Sequence, residues 1–457
     1  MSQTGKRVSL TSFNVSSFDK IIADYTKMNL SVLDFILDRF ESDICYGWID
    51  TKYNIMEGKD FSDDDEIRGK KAVYGWIQGR ALESLACHAK WLSKCGQENK
   101  QRIIRIRRAL EVLSNNVMRV REKNNGHIFF LMDTDGAPYT IEELSRKKQP
   151  YIKSKSPFYI SDLFASKGLR AAAHWLDNSS LIGDANDYSL KVLKAVKEGN
   201  FENDQQVFNL DNPVSRNNHS SHISYTISIG LALQMLKNDE SIGLEKGIDL
   251  IEFVINRHLN SNIRFPGSFP YDFAEFFTDD TDVSSELAIS DPGHALEFVG
   301  LAYKFVHNAK KTNKLTLEQT AKIKEIERIL PLILLQNFKN GYQDAGGICK
   351  SYNLAKRVPI NAEMPWWSLP ETLRAAGYCW LYAAKNEKRI FAKIMALCHN
   401  SFVSNYLRPD RYFLAVQTRS AAVKAIKSIP ATPDFDPGYH TNLCLIDLIE
   451  ILETEKT

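Results

Sequence analysis

The chain has 457 residues, of which 44% are hydrophobic, 11% aromatic and 25% charged, a composition that excludes a disordered, collagen-like or coiled-coil protein. Its 58 basic and 56 acidic residues give a formal charge of +2, so no global field favours nucleic acid or an acidic membrane surface. No apolar run approaches the roughly 20 residues that span a bilayer, and the N-terminal sequence lacks the apolar core of a secretory signal. Seven scattered cysteines without CxxC spacing are interpreted as reduced, packing thiols, and we expect a cytoplasmic protein.

Helical periodicity dominates the sequence from its first predicted element onward. Phe18 to Phe40 carries apolar residues at three-to-four spacing, among them Ile22, Leu33 and Ile36. Further helices are predicted at 70–95, 99–122, 160–177, 184–199, 219–237, 243–259, 284–308, 316–338, 366–386, 388–405 and 440–453. Evenly spaced helices without a low-complexity linker indicate stacked helical hairpins, and twelve helices suffice to close six hairpins into a ring. We therefore expect a mostly α-helical protein with one domain over residues 1–457.

Strand signals are few and local. The segment 126–140 combines aromatic and β-branched residues with Asp135-Gly136, a dipeptide that favours a hairpin turn. The segments 45–60 and 340–353 have a similar character. Short hairpins between helices are expected to project from one end of the helical ring and to build a rim there.

A histidine at the start of a predicted helix is the clearest candidate for chemistry. Pro292-Gly293 interrupts the chain, a helix is predicted to begin near His294, and Glu297 follows three residues later on the same face. The helix N-terminus disfavours the charged form of histidine, which predicts a neutral imidazole able to accept a proton. The structural alternative is a histidine that satisfies a loop carbonyl, with Glu297 as its partner.

Two aromatic segments also carry polar residues into helix starts. Trp76 and Arg80 lie close together before one helix, where Arg offers a fixed fork of donors and Trp a flat face for a sugar ring. Trp366 and Trp367 precede Glu371 at the start of another helix, and a buried carboxylate there requires a partner. Core packing explains the tryptophans equally well, and a structural salt bridge explains the arginine.

Two further histidines precede amphipathic helices. His440 follows Pro-Gly and one more residue, as His294 follows Pro-Gly, and the two together are a stronger signal than either alone. His219 and His222 have the i, i+3 spacing of a pair of metal ligands, but no third ligand follows at a recognisable distance. We expect no metal there and one of the two facing a central cavity. The sequence contains no GxGxxG, GxxxxGK[ST], GxSxG or HExxH motif, which argues against nucleotide-dependent redox chemistry, phosphoryl transfer and zincin or serine hydrolysis.

These segments, in their order and at comparable intervals, resemble the N-acylglucosamine 2-epimerase superfamily. The likeness covers nearly the whole chain, and Pro-Gly-His-x-x-Glu and Trp-Trp-x-x-x-Glu are its most specific parts. The segments that carry it are 76–80, 128–136, 164–169, 292–297, 366–371 and 439–440.

The resemblance implies an (α/α)6 barrel with a sugar pocket at one end and an epimerase or isomerase that needs neither redox cofactor nor metal. It implies that His294 and His440 are the catalytic acid/base pair. The substrate-binding residues carried over are Arg80, Glu297, Glu371, Trp366, Trp367, His222 and Trp76. Proton abstraction at C2 of an open-chain aldose gives an enediolate, whose oxygen Arg80 or a neutral histidine would stabilise.

Some residues depart from the family pattern. Thr441-Asn442-Leu443 follow His440 where a Pro-Arg or Gly-Arg is usual, and Glu83 replaces a frequent aromatic residue. The substrate therefore stays unnamed, and epimerase and aldose–ketose isomerase both remain open. A glycoside hydrolase that uses Glu297 and Glu371 and a non-catalytic sugar-binding protein are further alternatives. We expect a small sugar as partner, no nucleic acid or membrane, and leave a homodimer open.

Overall fold

The computed structural model describes residues 10, 13–142, 147–151, 157–205, 220–238, 241–261, 267–277, 288–416, 418–419 and 436–456. Within these ranges it contains twelve α-helices, each of which overlaps one of the predicted helices. They are α1 Phe18–Ser42, α2 Gly75–Leu92, α3 Lys100–Lys123, α4 Ile160–Leu176, α5 Ser179–Lys197, α6 Ile223–Lys237, α7 Ser241–His258, α8 Pro292–Lys311, α9 Leu317–Gly341, α10 Ser368–Tyr382, α11 Lys388–Ser401 and α12 His440–Thr454.

The even-numbered helices form an inner ring. In chain order α2, α4, α6, α8, α10 and α12 each pack against the next, and α12 packs against α2 to close the ring. The odd-numbered helices pack outside, each against one or more inner helices. This arrangement is an (α/α)6 barrel, which confirms the expected fold class. No helix in the described part of the chain is long and apolar enough to cross a membrane.

Residue patterns explain why the inner helices are inner. All but one residue of α12 from His440 to Leu452 is buried, including Asn442 and Asp447, whereas α3 buries one stripe and exposes its basic face. In α3, Arg102 and Arg105 form ion pairs with Asp34 and Asp38 of α1 rather than a free basic surface. The basic helix is thus an ordinary amphipathic outer helix.

The strands that the structure describes lie at one end of the barrel. Each of them belongs to a connection that runs from an outer helix to the next inner helix, whereas the opposite connections are short. The strands are β1 Tyr53–Asn54, β2 Lys59–Asp60, β3 Val73–Tyr74, β4 Leu131–Met132, β5 Tyr139–Ile141, β6 Lys148–Pro150, β7 Phe158–Tyr159, β8 Phe201–Glu202, β9 Ser220–Ser221, β10 Phe276–Phe277, β11 Ile289–Ser290, β12 Tyr342–Gln343, β13 Gly347–Ile348, β14 Ser351–Asn353, β15 Val358–Asn361, β16 Met364–Pro365, β17 Leu407–Arg408, β18 Leu414–Ala415 and β19 Thr418–Arg419. The expected rim therefore exists, at the end where the inner helices begin.

The three predicted hairpins have different outcomes. Antiparallel pairs β1–β2 and β12–β13 confirm the hairpins in 45–60 and 340–353. In 126–140 the turn lies where expected, because Gly136 N donates to Asp133 O, but β4 pairs mainly with β3, at residues 73–74. Strand β4 thereby ties the rim to the start of α2.

Helix starts also differ slightly from expectation. Helix α8 begins at Pro292 itself rather than near His294, because proline at the first helical position loses no hydrogen bond. The Asp291 side chain caps this helix by accepting from Gly293 N at 3.0 Å and His294 N at 3.3 Å. The cap fixes the direction in which the first turn of α8 presents its side chains.

Candidate active site

The N-termini of the inner helices converge at the rim and bring together all nine site residues proposed from the sequence. Each of the nine lies within the first two turns of an inner helix or just before it. Trp76 and Arg80 belong to α2, His222 precedes α6, His294 and Glu297 belong to α8, Trp366 and Trp367 precede Glu371 of α10, and His440 opens α12. His219, the other histidine of the i, i+3 pair, lies outside the described residues.

The imidazole of His440 is hydrogen-bonded to the carboxylate of Glu371. Its Nδ1 lies 2.8 Å from Glu371 Oε1, and its backbone N–H donates to Asp436 at 2.5 Å. Burial, reinforced by the positive charge of Arg80, lowers the pKa of His440 to about 4. A neutral ring beside a carboxylate must carry its proton on Nδ1, which leaves a lone pair on Nε2. His440 thus has the neutral imidazole that was expected of His294.

Glu371 is the buried carboxylate that required a partner, and it has two. Besides His440, it forms an ion pair with Arg374 one turn along α10. Arg374 in turn lies 3.7 Å from Asp447, which Lys304 contacts at 2.7 Å. Burial raises the pKa of Glu371, and the guanidinium opposes that effect. A chain of alternating charges therefore runs from His440 down the inside of the barrel.

His294 has the opposite protonation preference. Its Nδ1 lies 3.1 Å from both carboxylate oxygens of Glu275 and 3.4 Å from Asp291 Oδ2. Burial lowers its pKa, but the two carboxylates, Asp291 foremost, overcome burial and raise it to about 9. The expectation of a neutral imidazole is wrong for His294, because two nearby carboxylates outweigh the helix N-terminus. The structural alternative, in which Glu297 is the partner of His294, is also wrong, because the carboxylate that contacts His294 Nδ1 is that of Glu275.

Trp367 connects the two histidines. Its ring centroid lies 5.4 Å from that of His294 with the rings 29° from parallel, and 5.4 Å from that of His440 at 36°. Trp366 meets His440 edge-on at 6.3 Å. The double tryptophan therefore packs against both imidazoles and fixes the apolar wall between the two candidate acid/base groups.

Arg80 is enclosed by aromatic rings. Its guanidinium carbon lies 4.3 Å from the centroid of Trp76, 4.5 Å from Phe164 and 5.0 Å from Tyr439. Only 7% of Arg80 is exposed, and its Nε has no hydrogen-bond partner. Burial lowers the pKa of Arg80, with Tyr439, Asp436 and Glu297 opposing that effect. A buried guanidinium without hydrogen bonds at Nε is suited to bind an oxyanion or sugar hydroxyls.

Two glycines explain why Arg80 can reach this position. A Cβ on Gly79 would meet the carbonyl oxygen of Phe164 at 2.4 Å, and one on Gly168 would meet the carbonyl oxygen of Gly79 at 2.1 Å. Helices α2 and α4 thus pack backbone against backbone at this crossing. The close approach brings Phe164 of α4 under the guanidinium of Arg80.

Among the residues that the structure describes, one group beside His440 could be considered for a metal. Ligand atoms of Glu297, Glu371 and His440 lie within 4.8 Å of one another. However, Glu371 already serves His440 and Arg374, and the guanidinium of Arg80 is next to the group. These occupied donors and adjacent cations fit a network of ion pairs and hydrogen bonds better than a metal site.

Two important residues of this region, Glu275 and Lys167, were not singled out from the sequence. Glu275 contacts His294, Lys167 donates to Tyr439 Oη at 2.7 Å, and Lys167 pairs with Glu83 at 2.9 Å. A lone charged residue inside an apolar or aromatic run is the signal that marks Glu275 and Lys167. Glu83, noted only as a departure from the family pattern, is the partner that Lys167 requires.

The chain was compared with known proteins by sequence and by structure. No protein-family model and no curated protein matches the sequence. Among solved structures, the cellobiose 2-epimerase from Spirochaeta thermophila DSM 6192 is 13% identical, with a TM-score of 0.63 over 97% of this chain and 99% of that one. The cellobiose 2-epimerase from Bacillus thermoamylovorans B4167 is 14% identical, with a TM-score of 0.59 over 91% and 99%. A D-mannose isomerase is 12% identical, with a TM-score of 0.58 over 92% and 97%.

At these identities the likeness establishes the fold. The matches extend over almost the full length of both chains, so the whole (α/α)6 barrel is shared and not one helical hairpin. The solved proteins with this fold include sugar 2-epimerases and a sugar isomerase, the kinds of protein that the sequence motifs resemble. The chemistry of this chain has to be argued from its own residues.

Proposed function

We propose that this protein is a cofactor-independent sugar 2-epimerase that moves a proton at C2 of an aldose through an enediolate. The observation that carries the proposal is that two histidines with opposite protonation preferences both pack against the ring of Trp367. Neutral His440 can take a proton through Nε2, and protonated His294 can return one. Both act at neutral pH without any change of protonation beforehand.

The surrounding residues suit the proposed steps. Glu371 accepts from His440 Nδ1, so the ring is oriented and its imidazolium is stabilised once the proton has arrived. Arg80 supplies a fixed positive charge for the oxygen on which the enediolate charge develops. Trp366 and Trp367, packed against the imidazoles, would form an apolar wall beside the sugar, and Glu297 would offer a carboxylate to its hydroxyls.

 If a single histidine carries the proton from C2 to C1, the same site is an aldose–ketose isomerase.

Separate variants of the two histidines test this proposal against its main alternative. A hydrolase would use Glu297 and Glu371, yet Glu371 is already bonded to His440 and Arg374, which leaves the pair poorly suited to flank a glycosidic bond. We expect His294→Asn and His440→Asn each to lower turnover of aldoses by about 10²–10⁴-fold. Glycoside cleavage that survives both substitutions would identify a hydrolase, and sugar binding without turnover in the wild type would identify a binding protein.

A further inference from the structure

Glu275 is the meeting point of three polar side chains. Its Oε1 accepts from Ser221 Oγ at 2.6 Å, both of its oxygens lie 3.1 Å from His294 Nδ1, and its Oε2 lies 3.4 Å from His222 Nε2. Only 7% of Glu275 is exposed. Because a carboxylate only accepts hydrogen bonds, His294 must direct its Nδ1–H toward Glu275, and His222 Nε2 lies close by without a well-aligned hydrogen bond.

Glu275 differs from the other carboxylate beside His294. Asp291 is neutralised by Lys350 at 2.6 Å and also caps α8. Within the described residues, Glu275 has no lysine or arginine within ion-pair distance, and the titratable side chains at that distance are His294 and His222. The charge that balances this buried carboxylate is therefore the proton on a histidine ring.

Neither ring nitrogen of His222 is exposed to the pocket as a solvent-accessible atom. It is completely buried, its Nδ1 lies 3.0 Å from Thr226 Oγ1, and its Nε2 faces Glu275. Its ring packs against those of His258 at 5.2 Å and Phe273 at 5.1 Å. These contacts suit a residue that acts through Glu275 rather than one that touches the sugar.

We propose that Glu275 is a positioning residue that holds Nδ1 of His294 and Nε2 of His222, so that His294 alone presents a ring nitrogen, Nε2, to the substrate. This inference rests on the proposed acid/base role of His294. It assigns to His222 a supporting place behind Glu275 instead of a place in the sugar pocket. The groups that face His294 are then Glu275, Asp291, Lys350 and, through Glu275, His222.

The first test follows the titration of His294 by NMR in the absence of sugar. In the wild type, we expect His294 to titrate well above an ordinary imidazole, and in Glu275→Gln its midpoint should fall by about 1–2 pH units. Glu275→Asp, which keeps the charge, should restore part of the shift. Glu83→Gln removes another buried carboxylate, one that pairs with Lys167, and should leave the His294 titration unchanged. An ordinary midpoint in the wild type, or equal effects of Glu275→Gln and Glu83→Gln, would overturn the proposal.

The second test separates positioning from substrate contact at His222. His222→Leu removes the N–H that can be offered to Glu275, so we expect kcat to fall with KM changed by less than about twofold, whereas His222→Gln, which keeps an N–H, should recover part of kcat. A rise in KM of tenfold or more with kcat retained would place His222 against the sugar and overturn its assignment. The titration needs no turnover, so a protein without epimerase activity but with the expected His294 shift would refute the proposed function and leave the role of Glu275 intact.

Discussion

Replacement of Glu371 by glutamine tests the buried charge chain behind His440. Glu371 is 1% exposed and pairs with Arg374, which is itself 4% exposed. Among the described carboxylates, the substitution leaves Asp447, 3.7 Å away, as the one within ion-pair distance of the guanidinium. Removing one partner of a buried ion pair costs about 3–5 kcal/mol, a large part of the roughly 5–15 kcal/mol that stabilises a typical domain. We expect Glu371→Gln to lower the free energy of unfolding by this amount and also to slow turnover, since His440 loses its anionic partner.

Urea unfolding followed by circular dichroism measures this effect, and the chain offers a matched control. Glu325 and Arg328 form an ion pair with the same i, i+3 spacing on the exposed face of α9, so Glu325→Gln should leave the unfolding midpoint unchanged. The double variant Glu371→Leu, Arg374→Met should recover most of the lost stability, because an apolar pair replaces both charges, but not the activity. Equal midpoints for Glu371→Gln and Glu325→Gln would refute the reasoning.

Three further predictions concern the proposed reaction and the barrel crossing. Turnover should stay nearly constant between about pH 5 and 8. It should fall at lower pH because His440, with its pKa of about 4, becomes protonated, and at higher pH because His294, with its pKa of about 9, loses its proton. A single sharp limb near pH 6.5 in the pH–rate profile would contradict this. Arg80→Met should lower kcat by about 10²–10³-fold in steady-state assays while the fold persists, and an effect on KM alone would rule out stabilisation of the enediolate. Gly168→Val should abolish soluble folded protein, because its side chain would overlap the Gly79 carbonyl; recovery of a folded barrel in circular dichroism would show that this crossing can open.

The sequence predicts the fold well because each helix carries its own periodic pattern. The twelve observed helices overlap the predicted ones, and α11 followed by a π-helical turn at Phe402–Tyr406 accounts for the segment expected at 388–405. The proposed site residues could also be identified from the sequence, because Arg80, His294, Glu371 and His440 lie near the starts of inner helices. Alternation of outer and inner helices places all of those starts at one end of the barrel.

The contact partners of those residues could not be predicted from the sequence in the same way. Glu275 lies 19 positions before His294, in a connection whose path no periodicity describes, so the charge on His294 could not be derived from its own helix. Lys167 and Glu83 come from different helices and meet only because Gly230 leaves room, where a Cβ would come within 2.7 Å of Lys167 Cε. The protonation state of a side chain depends on such long-range contacts. The sequence around a histidine predicts only that it lies at the start of a helix.

The proposed C2 chemistry is tested most directly by proton NMR of aldoses incubated with the protein in D2O. The panel comprises N-acetylmannosamine, N-acetylglucosamine, mannose, glucose and cellobiose, with His440→Asn as the control. The proposal predicts that at least one sugar gains deuterium at C2, that the label accompanies formation of the 2-epimer or the ketose, and that His440→Asn abolishes the exchange. Exchange that persists in His440→Asn, or cleavage of cellobiose without any deuterium at C2, would contradict it.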